Sequence, residues 1–239
     1  YRPEVHDSDG LQIHSGTDEW IWRPLLNPKR LLMTSFAMRD PQGFGLMQRD
    51  LDFSSYQDLD QHYERSPSVW VTPAADWGAG RVQLVMLPTP DATNNNIVAF
   101  WVPDVTPEPQ QALDLAYRLQ WQRGPQQTRP PTAWVTQTRT YAVAVSDRPA
   151  DLGLVIDFEG PALAALPASA PVTALVASNQ DSEVVSQRVV YNDVSGGRRL
   201  YLQARRADAS KPMELRASLR SADDDVASET WSYIVPGEE

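Results

Sequence analysis

Short runs in which apolar and polar residues alternate dominate this chain, and a period of two is the mark of half-buried β-strands. In the C-terminal half such runs fall at 133–138, 152–158, 172–178, 183–191, 199–206, 213–219 and 229–235. Ser195-Gly196-Gly197 and Ala207-Asp208-Ala209-Ser210 supply turns between them. About seven strands in roughly 105 residues predict an immunoglobulin-like sandwich. In the N-terminal half, 81–88, 97–103 and 113–121 read as further strands. One helix is predicted there. Ser54-Ser55-Tyr56-Gln57 fits a capping box, Tyr56, Leu59 and Tyr63 follow at helical spacing, and Pro67 ends the run. Between the halves, 123–133 carries three Pro and one Gly among polar residues, the composition of a linker.

Composition narrows the chemistry. The 239 residues suffice for one large or two ordinary domains, and 41% hydrophobic residues with eight Trp exclude a disordered chain. No apolar run approaches the ~18 residues of a membrane-spanning helix. There is no Cys, and His6, His14 and His62 are the only histidines, which excludes disulfides, thiolate chemistry and a tetrahedral Cys/His zinc site. The net charge of −10 opposes a phosphate backbone, so nucleic acid is excluded as a partner. Nothing in the sequence calls for a metal or a cofactor.

The residues that can carry chemistry cluster in the first half. There, nine basic residues face sixteen acidic ones, and six of the eight Trp are found. His6-Asp7-Ser8-Asp9-Gly10 sets two carboxylates two apart before a turn glycine. An EF-hand loop would need a third oxygen ligand and then Gly at the positions held by Leu11 and Gln12, so an acidic turn and a catalytic carboxylate remain. Trp20 and Trp22 alternate on one strand face beside Arg23, and read either as core or as rings for stacking on sugars. Gly43-Phe44-Gly45 lacks the ending of a phosphate loop and implies positive φ or close backbone approach. Asp50 and Asp52 form a second carboxylate pair, structural or catalytic. Asn94-Asn95-Asn96 precedes an apolar strand and reads as a turn, as does Asp223-Asp224-Asp225. No nucleophile elbow is present. Acidic, aromatic and amide side chains together fit a carbohydrate cleft and the two-carboxylate chemistry of glycoside hydrolysis.

Several segments in order, RPEVHDSDGL (2–11), EWIWRPLLNP (19–28), PQGFGLMQRDLDFSSYQDLD (41–60), RSPSVWVTP (65–73), WGAGRV (77–82), NIVAFWVPD (96–104) and SETWSYIVP (228–236), carry a likeness. Together they resemble the periplasmic glucan biosynthesis proteins of the OpgG/OpgD (MdoG/MdoD) family, glycoside hydrolase family 186. The resemblance implies an all-β protein. Residues 1–122 would be the later portion of a large galactose-mutarotase-like β-sandwich, and 134–239 an immunoglobulin-like sandwich after the 123–133 linker. It further implies that Tyr1 corresponds to a point inside the large sandwich, so that this portion should not fold alone. The implied location is the periplasm and the implied substrate β-1,2-linked glucan. The implied activity is inverting endo-hydrolysis, or glycosyl transfer that can close a ring. Other glucan biosynthesis proteins and a second copy of the chain stay open as partners.

Carried onto this sequence, the resemblance makes Asp7 the general base. The general acid is the Asp of an Asp-Asn-Ile-Val motif that here reads Asn95-Asn96-Ile97-Val98. Tyr63 matches a cleft position able to relay a proton, and Trp20, Trp22, Arg23 and Phe44 are the expected cleft lining. An amide at 95 can hydrogen-bond a glycosidic oxygen but cannot deliver a proton. It therefore implies a chain that binds glucan and turns over slowly. Two explanations compete: a variant inactivated to trap substrate, the favoured one, and a natural non-catalytic member. The rival reading is a glucan-binding or scaffold protein of the same pathway.

Overall fold

The computed structural model describes residues 8–91, 93–143, 152–221 and 228–238; the 223–225 acidic run lies outside them. The chain divides into two compact units, Tyr1–Thr128 and Arg129–Glu239, and the division falls inside the 123–133 stretch. That stretch is no bare tether, since Gln126, Pro130 and Ala133 are buried.

The first unit contains β1 (Gly10–His14), β2 (Trp20–Pro24), β3 (Leu32–Arg39), β4 (Gly43–Met47), β5 (Ser68–Pro73), β6 (Ala79–Met86), β7 (Ile97–Pro103) and β8 (Tyr117–Gln122). Strands run antiparallel in the order β2-β1-β4-β5-β8, and a second sheet has the order β3-β6-β7. Alternation sorts the side chains onto two faces. Leu11, Ile13, Ile21 and Phe44 from the first sheet meet Phe36, Val82, Leu84, Met86 and Trp101 from the second in one apolar core. The same inward row continues onto β8 as Tyr117, Leu119 and Trp121, yet these are 54%, 48% and 69% exposed. Three strands do not cover five.

The other face of the five-stranded sheet is assembled around missing side chains. A Cβ on Gly10 would lie 2.3 Å from the Trp22 ring, and one on Gly43 would lie 2.4 Å from the Trp70 ring. Each indole occupies the volume the glycine leaves empty, as aromatic rings do over strand glycines. At Gly45 the neighbour is backbone itself, with the Val69 carbonyl 2.0 Å from where a Cβ would stand. Close approach, not positive φ, is therefore what Gly43-Phe44-Gly45 provides.

The predicted long helix is replaced by two short elements. Helix α1 (Phe53–Tyr56) is capped by Asp52, which accepts from the Ser54 N–H at 2.8 Å, and not by Ser54. It stops at Gln57, whose backbone turns left-handed at φ 53°, and Tyr63–Arg65 then forms a separate 3-10 turn. Buried Asp58 explains the break, because its carboxylate accepts from the Asp60 and Gln61 N–H groups and fixes a turn where the helix would continue. Asp50 and Asp52 are thus structural, with Asp50 accepting from the Asp52 N–H at 3.0 Å.

Among the described residues the second unit holds seven strands, one for each alternating run: β9 (Trp134–Ala142), β10 (Leu152–Glu159), β11 (Val172–Ser178), β12 (Ser182–Tyr191), β13 (Arg198–Arg206), β14 (Met213–Ser221) and β15 (Thr230–Val235). One turn of helix, α2 (Pro161–Ala164), opens the 161–172 stretch, which is rich in Ala and Pro. The strands pair antiparallel as β12-β13-β10-β9 and β11-β14-β15. Leu154, Ile156, Phe158, Leu200 and Leu202 of one sheet and Met213, Leu215, Leu219 and Trp231 of the other are fully buried. The Trp231 indole N–H donates to Thr138 Oγ1 at 3.0 Å and ties β15 to β9. On the outer side, burial works to raise the Asp157 carboxyl. Hydrogen bonds from Arg199 and Arg139 outweigh it and hold that carboxyl below its usual range.

The strand spacing at Gly45 is directly testable. Gly45→Ala should lower stability by about 2–3 kcal/mol, because a methyl group cannot share space with a backbone carbonyl. Chemical unfolding monitored by tryptophan fluorescence reads this as a lower midpoint. An unchanged midpoint would mean that β4 and β5 are not so tightly paired.

Candidate active site

At the end of β1 the chain bends through Ser8 and Asp9, and the Asp9 carboxylate turns inward. One oxygen accepts from two successive backbone N–H groups, Arg49 at 2.5 Å and Asp50 at 2.6 Å. The other accepts from the Tyr56 hydroxyl at 2.9 Å. Tyr56 in turn accepts from Gln48 Nε2 at 2.7 Å, and the Gln48 N–H donates to Ser68 Oγ at 2.9 Å. Burial, the strongest influence on Asp9, pushes its carboxyl above the usual range, although the Asp50 and Arg49 N–H groups and the Tyr56 hydroxyl pull the other way.

The Tyr56 ring packs against Tyr63, centroids 5.9 Å apart and tilted 45°. Tyr63 is buried at the start of the 3-10 turn. Beside it, His62 Nδ1 and Arg65 Nε reach the same oxygen of Glu64, at 2.8 and 3.2 Å. Desolvation, the largest single influence, works to raise the Glu64 carboxyl, but the hydrogen bond from His62, a backbone hydrogen bond and the nearby His62 and Arg65 side chains together hold it below its usual range. A loop of short turns therefore brings Tyr63 to the cluster that holds Asp9.

Arg49 extends this cluster across the sheet. Its guanidinium lies 3.5 Å from the centre of the Trp22 ring, a stacked cation–π contact. It donates to Gln12 Oε1 at 2.8 Å and to Gln126 Oε1 at 3.0 Å. Gln12 donates to the Thr128 carbonyl at 3.1 Å, Gln126 donates to both Gln12 and that carbonyl, and Gln122 donates to the Thr128 hydroxyl at 3.0 Å. At the far end of the same face, Trp20 lies between His14, stacked at 4.0 Å, and Trp70, at 6.0 Å. Trp22, Trp70 and the three glutamines are buried, so on this face Trp20 and His14 are the rings partly open to a ligand.

The expected site residues divide. Asp7 lies outside the described residues, two positions before Asp9. Tyr63 joins the Asp9 cluster through Tyr56. Trp20 and Trp22 share the polar and aromatic sheet face. Arg23 and Phe44 do not: both point to the opposite face, where Phe44 belongs to the apolar core. Arg23 is fully buried there, its guanidinium 5.2 Å from the centre of the Phe36 ring. Alternation along β2 puts Arg23 on the other side from its two tryptophan neighbours. Asn95 stands exposed at the opening of β7, in the three-stranded sheet. Its neighbour Asn96 is buried and donates to the Leu87 carbonyl at 3.1 Å, holding the β6–β7 hairpin. Arg49 and Tyr56 are site residues to which the sequence gives no functional signal, and Asp9 is visible there only as the second carboxylate of the Asp7-Ser8-Asp9 spacing.

A carboxylate and tyrosine cluster on an all-β scaffold, bordered by stacked indoles and amides, offers the kinds of group that carbohydrate-acting proteins use. Sequence comparison gives the family. Residues 1–235 match the family described as periplasmic glucan biosynthesis protein, MdoG, and the chain belongs to that family. It is 52% identical over 242 residues to glucans biosynthesis protein G of Ralstonia nicotianae, covering 99% of this chain and 48% of the relative. It is 47% identical over 246 residues to the proteins of the same name from Pseudomonas paraeruginosa and Pseudomonas aeruginosa LESB58, covering all of this chain and 47% of each relative. The chain thus spans about half the length of these curated relatives.

The Asp9 cluster generates a stability prediction with a definite sign. Asp9→Ala leaves two backbone donors without their acceptor and should cost about 2–4 kcal/mol. Asp9→Asn keeps an acceptor for both and can donate to the Tyr56 hydroxyl, which then turns its own proton to the Asp50 carbonyl 3.1 Å away. Because the folded-state carboxyl is raised, its stabilising contribution is complete below about pH 4, the unfolded value. It is lost as the pH rises through the folded value. Asp9→Asn should therefore gain stability relative to the parent as the pH rises above about 4, as read by denaturant unfolding at several pH values. A relative loss with rising pH would contradict the burial of this carboxylate.

Proposed function

We propose that this chain is the glucan-acting part of a periplasmic protein of glucan biosynthesis, and that its substrate is β-1,2-linked glucan. The observation that carries the reading is the Asp9–Tyr56–Tyr63 cluster, which joins the segment leading from Asp7 to the expected proton-relaying tyrosine. In this reading residues 1–122 are the later portion of the glucan-acting sandwich and 134–239 are an immunoglobulin-like domain after the 123–133 linker. Other glucan biosynthesis proteins and a second copy of the chain are its partners.

The chemistry is inverting displacement at the anomeric carbon. Asp7, directly or through Tyr63, takes the proton of the attacking hydroxyl. The new C–O bond forms as the bond to O2 of the neighbouring glucose breaks, and position 95, as Asp, gives O2 its proton. Water as nucleophile yields hydrolysis. A 6-hydroxyl of the same chain yields an α-1,6 link and can close a ring. Trp20 borders the glucan path, and Trp22, buried under the Arg49 guanidinium, backs it. With Asn at 95 the leaving oxygen gains a hydrogen bond but no proton, so the chain binds glucan and turns over slowly. The second reading, a glucan-binding scaffold, is favoured by Asn95 itself.

One substitution separates the two. General acid catalysis supplies roughly 10²–10⁴-fold. Asn95→Asp, in the longer protein and with linear β-1,2-glucan, should raise turnover by at least about 100-fold, with shorter or cyclic products seen by mass spectrometry. Exposure of the side chain at 95 predicts an unchanged melting temperature. Binding by calorimetry with no product from Asn95→Asp would leave the scaffold reading.

A further inference from the structure

Three segments that the proposed chemistry needs come from distant parts of the sequence, and one carboxylate holds all three. The strand-end bend at 8–9 leads back to position 7. The 48–50 segment carries Arg49, whose guanidinium covers Trp22 at 3.5 Å. The 53–65 loop carries Tyr56 and, 5.9 Å from it, Tyr63. Asp9 binds the second through the Arg49 and Asp50 N–H groups and the third through the Tyr56 hydroxyl. The Asp9 N–H and carbonyl also bond outward, to the Met47 carbonyl and from the Leu25 N–H, both at 2.9 Å. The bend is therefore pinned to β4 and to the end of β2.

The 53–65 loop has little regular structure. Its α-helical turn is four residues long and its 3-10 turn three, and Gln57 and His62 both adopt left-handed backbone conformations, at φ 53° and 52°. Such residues persist when their surroundings over-determine them. The Tyr56 hydroxyl, between Gln48 and Asp9, is an anchor on the sheet side, and buried Asp58 organises the far turn.

We propose that Asp9 is a positioning residue for the reaction. Its carboxylate sets the placement of Tyr63 and of the Arg49–Trp22 wall relative to each other, and does not itself touch substrate. This rests on the glucan-acting reading of the site. Displacing a reacting group by about 1 Å can slow a reaction on the order of 100-fold, so a hub of this kind governs rate more than affinity.

The test uses the longer protein with Asp9→Ala and Asp9→Asn, each alone and combined with Asn95→Asp. In the protein with Asn95, hydrogen exchange of the 49–65 amides should speed up in Asp9→Ala, while the strands β10, β13 and β14 keep their protection. Asp9→Asn should restore protection. In the Asn95→Asp background, Asp9→Ala should reduce kcat about 100-fold with KM changed less than about threefold, and Asp9→Asn should recover most of the loss. Unchanged exchange in Asp9→Ala would overturn the proposal, and so would a loss of rate that Asn fails to rescue. If Asn95→Asp alone forms no product, the glucan-acting reading fails, and the exchange results still decide whether Asp9 positions the loop.

Discussion

The first unit depends on flat aromatic rings seated on strand glycines. Trp22 fills the space over Gly10, Trp70 over Gly43, and Trp101 over Gly80. The second unit repeats the device with Tyr141 over Gly153. A strand glycine loses backbone entropy without offering a side chain to pack, so alone it weakens a sheet. A large ring across the gap restores the lost contact area, and each pair works only while both members are present. The result on the five-stranded sheet is a face that is aromatic and polar yet largely closed to water. That is an unusual surface for a sheet, and the candidate site is built at its end.

Closing that face requires hydrogen-bond partners for everything polar beneath the rings, since an unpaired buried amide is costly. Gln12, Arg49, Gln126 and the Thr128 carbonyl satisfy one another, and so the last residues of the unit return to its first strand. Arg49 is the joint between this network and the Asp9 cluster. Its backbone N–H is held by Asp9 while its side chain lies on Trp22 and reaches Gln12 and Gln126. Order at the end of β1 is thereby shared with order at residues 126–128.

The sequence was most legible where the pattern was most regular. In the second unit all seven strands fall within two residues of the alternating runs at their starts, because each has one apolar and one solvated face and turn residues at both ends. The first unit hid Gly10–His14, Leu32–Arg39, Gly43–Met47 and Ser68–Pro73. The alternation of Leu11-Gln12-Ile13-His14 is only four residues long and follows a glycine that reads as a turn, and in β4 Gly43 and Gly45 take the positions where side chains would have shown a pattern. The 54–66 helix failed because Asp58, an ordinary surface residue by type, is buried and turns the chain. Within the site, Trp20, Trp22 and Tyr63 were visible as types. That Phe44 and Arg23 face the core follows only from strand register, and Asp9's role depends on donors forty residues away.

The two asparagines at the entry to β7 divide their labour completely. Asn96 is buried and pins the hairpin, whereas Asn95 points to solvent and carries none of that load. Asparagine and aspartate codons differ by a single base. An exchange between the two at position 95 therefore crosses no misfolded intermediate, because the exposed side chain carries no packing. Under the glucan-acting reading proposed above, the chemistry of this position is free to vary independently of the stability of the hairpin beside it.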